Sequence, residues 1–160
     1  MKLSRELNQQ LEDFFREFFD DENLRLPEIE IYGKRGARIV TKIFGVQGIT
    51  IGRFIFITPD LVFRDNLTRL CVSKELLAHE ATHVLQYQQL GTLKFLYRYF
   101  KSFFVNLRRR RNWNFYSRMQ AYLEIPFESE ARAGGAKFAE WNTIKGKRKT
   151  ENDSSRAVID

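Results

Sequence analysis

The chain holds two histidines in 160 residues, and they stand four apart in Leu76-Leu77-Ala78-His79-Glu80-Ala81-Thr82-His83-Val84-Leu85. Apart from Glu80, no charge, proline or glycine interrupts residues 76 to 85. Such a run predicts a buried helix over 74–89, with Ser73 as its N-cap, Glu75 in its first turn and a stop near Gly91. Two imidazoles and a carboxylate carried into a core constrain whatever packs there, because burying them is costly unless something satisfies them. Residues i and i+4 share a helix face, so His79 and His83 can meet one metal ion. Glu80 lies about 100° round the helix, within reach of a metal-bound water without being a ligand, where a general base belongs. The competing reading is a pair of helix histidines bonded to neighbours, with Glu80 in a salt bridge; the apolar flanks favour the metal.

A catalytic zinc site takes three protein ligands and leaves a fourth position open. No third histidine exists, and the single cysteine, Cys71, lies upstream. The remaining ligand type is a carboxylate. Candidates stand in Ile125-Pro126-Phe127-Glu128-Ser129-Glu130-Ala131-Arg132-Ala133-Gly134-Gly135. Pro126 suits the start of a helix that could pack across the histidine helix. Glu128 and Glu130 fall about 200° apart on such a helix, so only one can face the metal. The other is a solvated carboxylate near a helix N-terminus.

These residues resemble the gluzincin type of HExxH metallopeptidase, whose third ligand is a glutamate on a later helix. The longer string from Leu76 to Tyr87, with Pro126-Phe127-Glu128-Ser129-Glu130-Ala131 some way on, is similar to a bacterial metallopeptidase-type domain, the eCIS core domain. Gly48-Ile-Thr-Ile-Gly52-Arg-Phe-Ile-Phe-Ile-Thr-Pro59 resembles that family's strand pair before the metal helix, so the likeness spans roughly residues 36 to 135. It implies a zincin-like fold, a zinc ion held by His79, His83 and Glu128, with Glu130 as the alternate, and peptide-bond hydrolysis with Glu80 as general base. Arg132 stands where the wider class often has an acid that orients a ligating histidine, which leaves the outer partners of the ligands unassigned.

The length suits a single α+β domain over 1–142, with a polar tail over 143–160 expected to be disordered. Leu3, Leu7, Leu11, Phe14, Phe15 and Phe18 recur at spacings of three and four, which predicts an N-terminal helix packed on the core. Between 28 and 58 the apolar period becomes two, and strands over 28–32, 37–44 and 48–57 predict a small antiparallel sheet with a turn at Gly52-Arg53. Further helices follow the metal helix. No signal-like opening and no long apolar run are present, so the expected compartment is the cytoplasm, with peripheral membrane contact as the one departure.

Charge is unevenly placed. Residues 91–118 contain eight basic side chains (Lys94, Arg98, Lys101, Arg108 to Arg111 and Arg118) and no acid, whereas the whole chain is +7. Residues 1–30 net −5. Three readings compete for the basic segment. First comes a helix with a core-facing aromatic side and arginines that are solvated or paired with the acidic N-terminal helix. Next is an amphipathic helix over 93–111 resting on an anionic membrane. A nucleic-acid site ranks last. The stretch 112–117 reads as a loop leading to the Glu128 helix. For hydrolysis an oxyanion donor is also needed, and Tyr116, Arg118 and Tyr122 are the nearest candidates. The alternative to an enzyme is a catalytically inactive zincin-like scaffold whose basic patch binds a membrane or an acidic partner; the expected partner of an enzyme is a peptide or protein substrate.

Overall fold

A computed structural model describes residues 3–33, 37–38, 47–64, 70–146 and the backbone of 156–159. Helix α1 (Arg5–Phe19) begins at Ser4, whose hydroxyl accepts from the Leu7 amide. Its 3.6-residue stripe buries Leu7, Leu11, Phe14 and Phe15, as the spacing predicts. Several of its acids are paired elsewhere. Glu12 bonds to Arg16 and Arg25, and Glu17 accepts from Lys145 and Trp141. They do not neutralise the basic segment.

Three short strands follow: β1 (Glu30–Tyr32), β2 (Gly48–Ile51) and β3 (Phe54–Ile57), in the order β1-β3-β2. β2 and β3 form the expected hairpin, turning at Gly52, whose φ of 61° is the left-handed conformation such a turn requires. The sheet is mixed, however, because β1 runs parallel to β3. The 33–47 connection is long enough for a crossover, which an unbroken antiparallel meander would not need. Of the strand expected over 37–44, Ala37 and Arg38 are helical; 39–44 lie outside the described residues.

A 3-10 turn (Pro59–Leu61) leads to a second sheet of β4 (Phe63–Arg64), β5 (Leu70–Ser73) and β6 (Arg156–Ile159), in the order β4-β5-β6 and antiparallel throughout. Helix α2 (Lys74–Leu90) leaves β5 directly. The Ser73 hydroxyl accepts from the Leu76 amide, and Gly91 closes the helix at φ 74°. Helices α3 (Thr92–Arg109), α4 (Phe115–Leu123) and α5 (Pro126–Gly146) complete the chain's helical half. Two expectations are corrected here. Residues 115–117 open a helix, because the Asn114 side chain caps it through the Ser117 amide. The segment expected to be a disordered tail begins as the last turn of α5, and its Ala157-Val158-Ile159, of which Val158 and Ile159 are good strand formers, pair with β5.

The core lies between α1, the first sheet, α2 and α5, with Leu11, Phe15, Ile29, Ile31, Ile55, Leu77 and Phe138 fully enclosed. α2 is buried nearly all round, from Leu77 to Tyr87. Among the described residues no helix is long and apolar enough to cross a membrane.

Candidate metal centre

Close contact between α2 and α5 builds the site. A Cβ on Gly135 would lie 2.8 Å from the Glu75 carbonyl and 3.4 Å from His79 Cβ; one on Gly134 would lie 2.6 Å from the Thr82 hydroxyl. Two glycines inside a helix each cost about 1 kcal/mol relative to alanine. Here their missing side chains let the two backbones meet. Gly135 is seven residues, about two turns, beyond Glu128. The face that approaches α2 at the glycines therefore also presents Glu128 to the histidines.

His79, His83 and Glu128 come together, with one ligand atom of each within 4.8 Å of the others. His79 Nε2 stands 3.5 Å from Glu128 Oε2, and His83 Nε2 stands 3.3 Å from Oε1. These separations exceed the usual N–H···O distance of about 2.9 Å. They match the edge of a tetrahedron of zinc ligands, about 3.3 Å for metal–ligand bonds near 2.05 Å. His83 and Glu128 are enclosed, while the His79 side chain keeps 17% of its surface exposed, so the open side of the cluster is at His79.

Glu128 and His83 are braced from behind. The Tyr99 hydroxyl of α3 donates to Glu128 Oε1 at 2.6 Å, and the Tyr122 hydroxyl of α4 donates to Oε2 at 2.7 Å. Burial, reinforced by the Glu128 charge, pushes both phenols well above their ordinary pKa, which keeps them donors. Burial acts against a charge on Glu128. The contacts from His79 and His83 outweigh it and hold the carboxyl well below the usual range. On His83, burial likewise opposes charge, but the Glu128 carboxylate prevails and raises the pKa.

Gln86 is the outer partner of His83. Its Nε2 donates to the Phe127 carbonyl at 3.1 Å and to Glu130 Oε2 at 2.7 Å, which leaves Oε1 to face His83 Nδ1 at 2.8 Å. His83 must then carry its proton on Nδ1, and the Nε2 lone pair points to the cluster. This places both glutamates: Glu128 faces the imidazoles, and Glu130 holds the glutamine that orients one of them. Arg132, at the position of the expected acid, instead donates to the Leu123 carbonyl.

Glu80 is buried on the sheet side of α2. The Thr50 hydroxyl of β2 donates to its Oε2 at 2.7 Å, and a Cβ on Gly48 would sit 2.3 Å from its Oε1. Burial pushes the Glu80 carboxyl up, opposed by His83 and His79. Glu80 and Glu128 are thus two enclosed carboxylates, and among the described residues no lysine or arginine pairs with either. Carboxylates at that depth are costly to keep charged unless they are paired. Two imidazole nitrogens and a carboxylate, with a second carboxylate beside them, form a donor set that fits a divalent, nitrogen- and oxygen-loving cation.

Among the sequence candidates for an oxyanion donor, Tyr116 and Arg118 are exposed, and Tyr122 is committed to Glu128. Tyr99, Gln86 and Thr50 were not singled out in the sequence. Only Gln86 carried a local signal, since three residues after His83 puts it on the same side of the helix.

No curated protein and no solved structure matches the chain. The sequence model of the eCIS core domain matches residues 2–91, which begins and ends earlier than the 36–135 span of the likeness read from motifs. It takes in α1, the first sheet and the helix with His79, Glu80 and His83, and stops before Tyr99, Tyr122 and Glu128. With more than half of its length matched, the chain belongs to the eCIS core domain family.

Proposed function

We propose that the protein is a zinc-dependent peptidase of gluzincin type, with His79, His83 and Glu128 as metal ligands and Glu80 as general base. The observation that supports this most is the pair of buried carboxylates beside two converging imidazoles, with no lysine or arginine among the described residues to balance them. Zinc bound there would acidify a coordinated water and polarise a substrate carbonyl. The chain's own residues have defined tasks. Glu80 accepts the proton of the attacking water and returns it to the leaving amine. Thr50 and the bare backbone of Gly48 fix the Glu80 carboxylate in place. Tyr99 and Tyr122 hold the Glu128 oxygens, and Gln86 fixes the His83 tautomer.

The substrate fits as an extended peptide. β2 lies at the edge of the first sheet and packs on α2 through Thr50, and among the described residues no strand pairs with its outer edge. A peptide laid along that edge would find main-chain partners next to Glu80. The test is zinc content together with hydrolysis of a mixed peptide library. One zinc per chain, lost in His83→Ala and Glu128→Ala, with turnover abolished but metal retained in Glu80→Gln, supports the proposal. Metal-free protein whose melting is unchanged by chelator would leave the cluster as a purely hydrogen-bonded one and overturn it.

A further inference from the structure

Helix α3 has two apolar faces, and among the described residues only one is packed against the rest of the chain. Inside, Phe95 and Leu107 are buried, Tyr99 reaches Glu128, and Asn106 donates to the Ala121 carbonyl of α4. Outside, Leu93, Tyr97, Phe100 and Phe104 are 85%, 65%, 46% and 52% exposed. At 100° per residue these four fall within about 60° of arc, a single stripe along the helix. Scattered exposed apolar residues are ordinary, but a continuous aromatic stripe on a surface helix marks an interaction face. At the α3–α4 turn Trp113, Phe115 and Tyr116 are exposed as well.

The charge around the stripe says what covers it. Lys94, Arg98 and Lys101 border it on one side by the same helical arithmetic, and Arg108 and Arg109 end the helix. Among the described residues none of these five pairs with an acid, and residues 91–123 contain no Asp or Glu at all. Lys101 instead lies over the Tyr97 ring, its nitrogen 5.9 Å from the centroid. Two copies meeting through this face would bring two unneutralised cationic rims together, which disfavours a dimer. A nucleic acid would engage the cations and leave Leu93, Phe100 and Phe104 uncovered. An anionic bilayer satisfies both parts: rings and leucine enter the headgroup boundary, while lysine and arginine stems reach back to lipid phosphates.

We propose that the outer face of α3, from Leu93 to Arg109, docks the protein on anionic lipid bilayers. The helix then lies in the membrane surface, with the cluster around Glu128 on its far side, on the order of one helix diameter (about 10 Å) away. This holds whether or not the metal site hydrolyses anything.

Flotation of the full chain with phosphatidylcholine vesicles, and with vesicles of mixed phosphatidylcholine and phosphatidylserine, tests the proposal. Binding is expected only to the mixed vesicles and weakens as salt rises. Replacing three rim cations (Lys94→Gln, Arg98→Gln, Lys101→Gln) should weaken it about a hundredfold, at about fivefold per cation. Phe100→Ser with Phe104→Ser leaves the charge unchanged and should weaken it about tenfold or more. All five side chains lie on the outer part of the helix, so circular dichroism and melting should stay as in wild type. The proposal fails if wild type does not float with the mixed vesicles. It also fails if the phenylalanine pair can be replaced without effect, or if duplex DNA or polyglutamate is bound in preference to the mixed vesicles. A wild-type dimer that Phe100→Ser disrupts would assign the face to a second copy and equally overturn it.

Discussion

Gln86 Oε1 lies 2.8 Å from His83 Nδ1, one helical turn along α2, and its amide is turned that way by Glu130 and the Phe127 carbonyl. The nitrogen that His83 turns to the cluster is therefore set by Glu130, a residue on α5 outside the cluster. Gln86→Ala should lower zinc affinity about 10- to 100-fold, the usual effect of losing an outer partner of a metal ligand. Competition with a chromophoric chelator measures this, and unchanged affinity would show that the tautomer is not controlled here.

The two tyrosines brace the opposite ligand. Tyr99→Phe and Tyr122→Phe each remove one short hydrogen bond to Glu128 without changing shape. Each variant should bind zinc about tenfold more weakly, and the double variant should lose more than either alone. Equal affinity in all three would mean that burial alone positions the carboxylate.

Glycine-to-alanine changes inside helices ordinarily stabilise by about 1 kcal/mol. Gly135→Ala should do the reverse and cost about 1–3 kcal/mol, because the added methyl meets the Glu75 backbone oxygen, which cannot step aside. Gly134→Ala meets the Thr82 hydroxyl instead. Thr82→Ala should rescue Gly134→Ala but not Gly135→Ala, a pattern that urea denaturation of the four variants can read.

Gly48 separates folding from chemistry. In Gly48→Ala the new methyl would overlap Glu80 Oε1, the tip of a side chain that can swing away. Stability and zinc content should therefore change little, while peptide hydrolysis falls at least about tenfold. Full activity in this variant would remove Glu80 from the place proposed for it.

Glu12 ties α1 to the chain that follows it. Burial acts to raise its pKa, but the Leu26 amide, Arg25 and Arg16 outweigh that and hold the carboxyl below its ordinary value. A group depressed in the folded state contributes stability above its unfolded pKa of about 4.3, and loses it as pH falls through the lower folded value. Glu12→Gln should be about 1–2 kcal/mol less stable at neutral pH. The gap from wild type should narrow on acidification; stability curves that stay parallel through roughly pH 6 to 3 would refute the assignment.

The sequence alone determined what is local. His79, Glu80 and His83 take their relative positions from the 3.6-residue period, and Ser73 and Gly91 bound their helix by capping chemistry that needs no distant partner. The count of histidines and cysteines left only a carboxylate to complete the cluster, and the leucine and phenylalanine spacing of α1 was enough to bury it. Tertiary structure decided everything that depends on which faces meet. Glu128 and Glu130 are equivalent by composition, and the close approach of α5 to α2 at Gly134 and Gly135 turned one to the imidazoles and the other to Gln86. Tyr99 and Tyr122 reach Glu128 from two further helices, and no spacing along the chain encodes that meeting. The parallel placement of β1 and the return of 156–159 to β5 belong with these, because strand pairing is settled by where crossovers place free backbone edges.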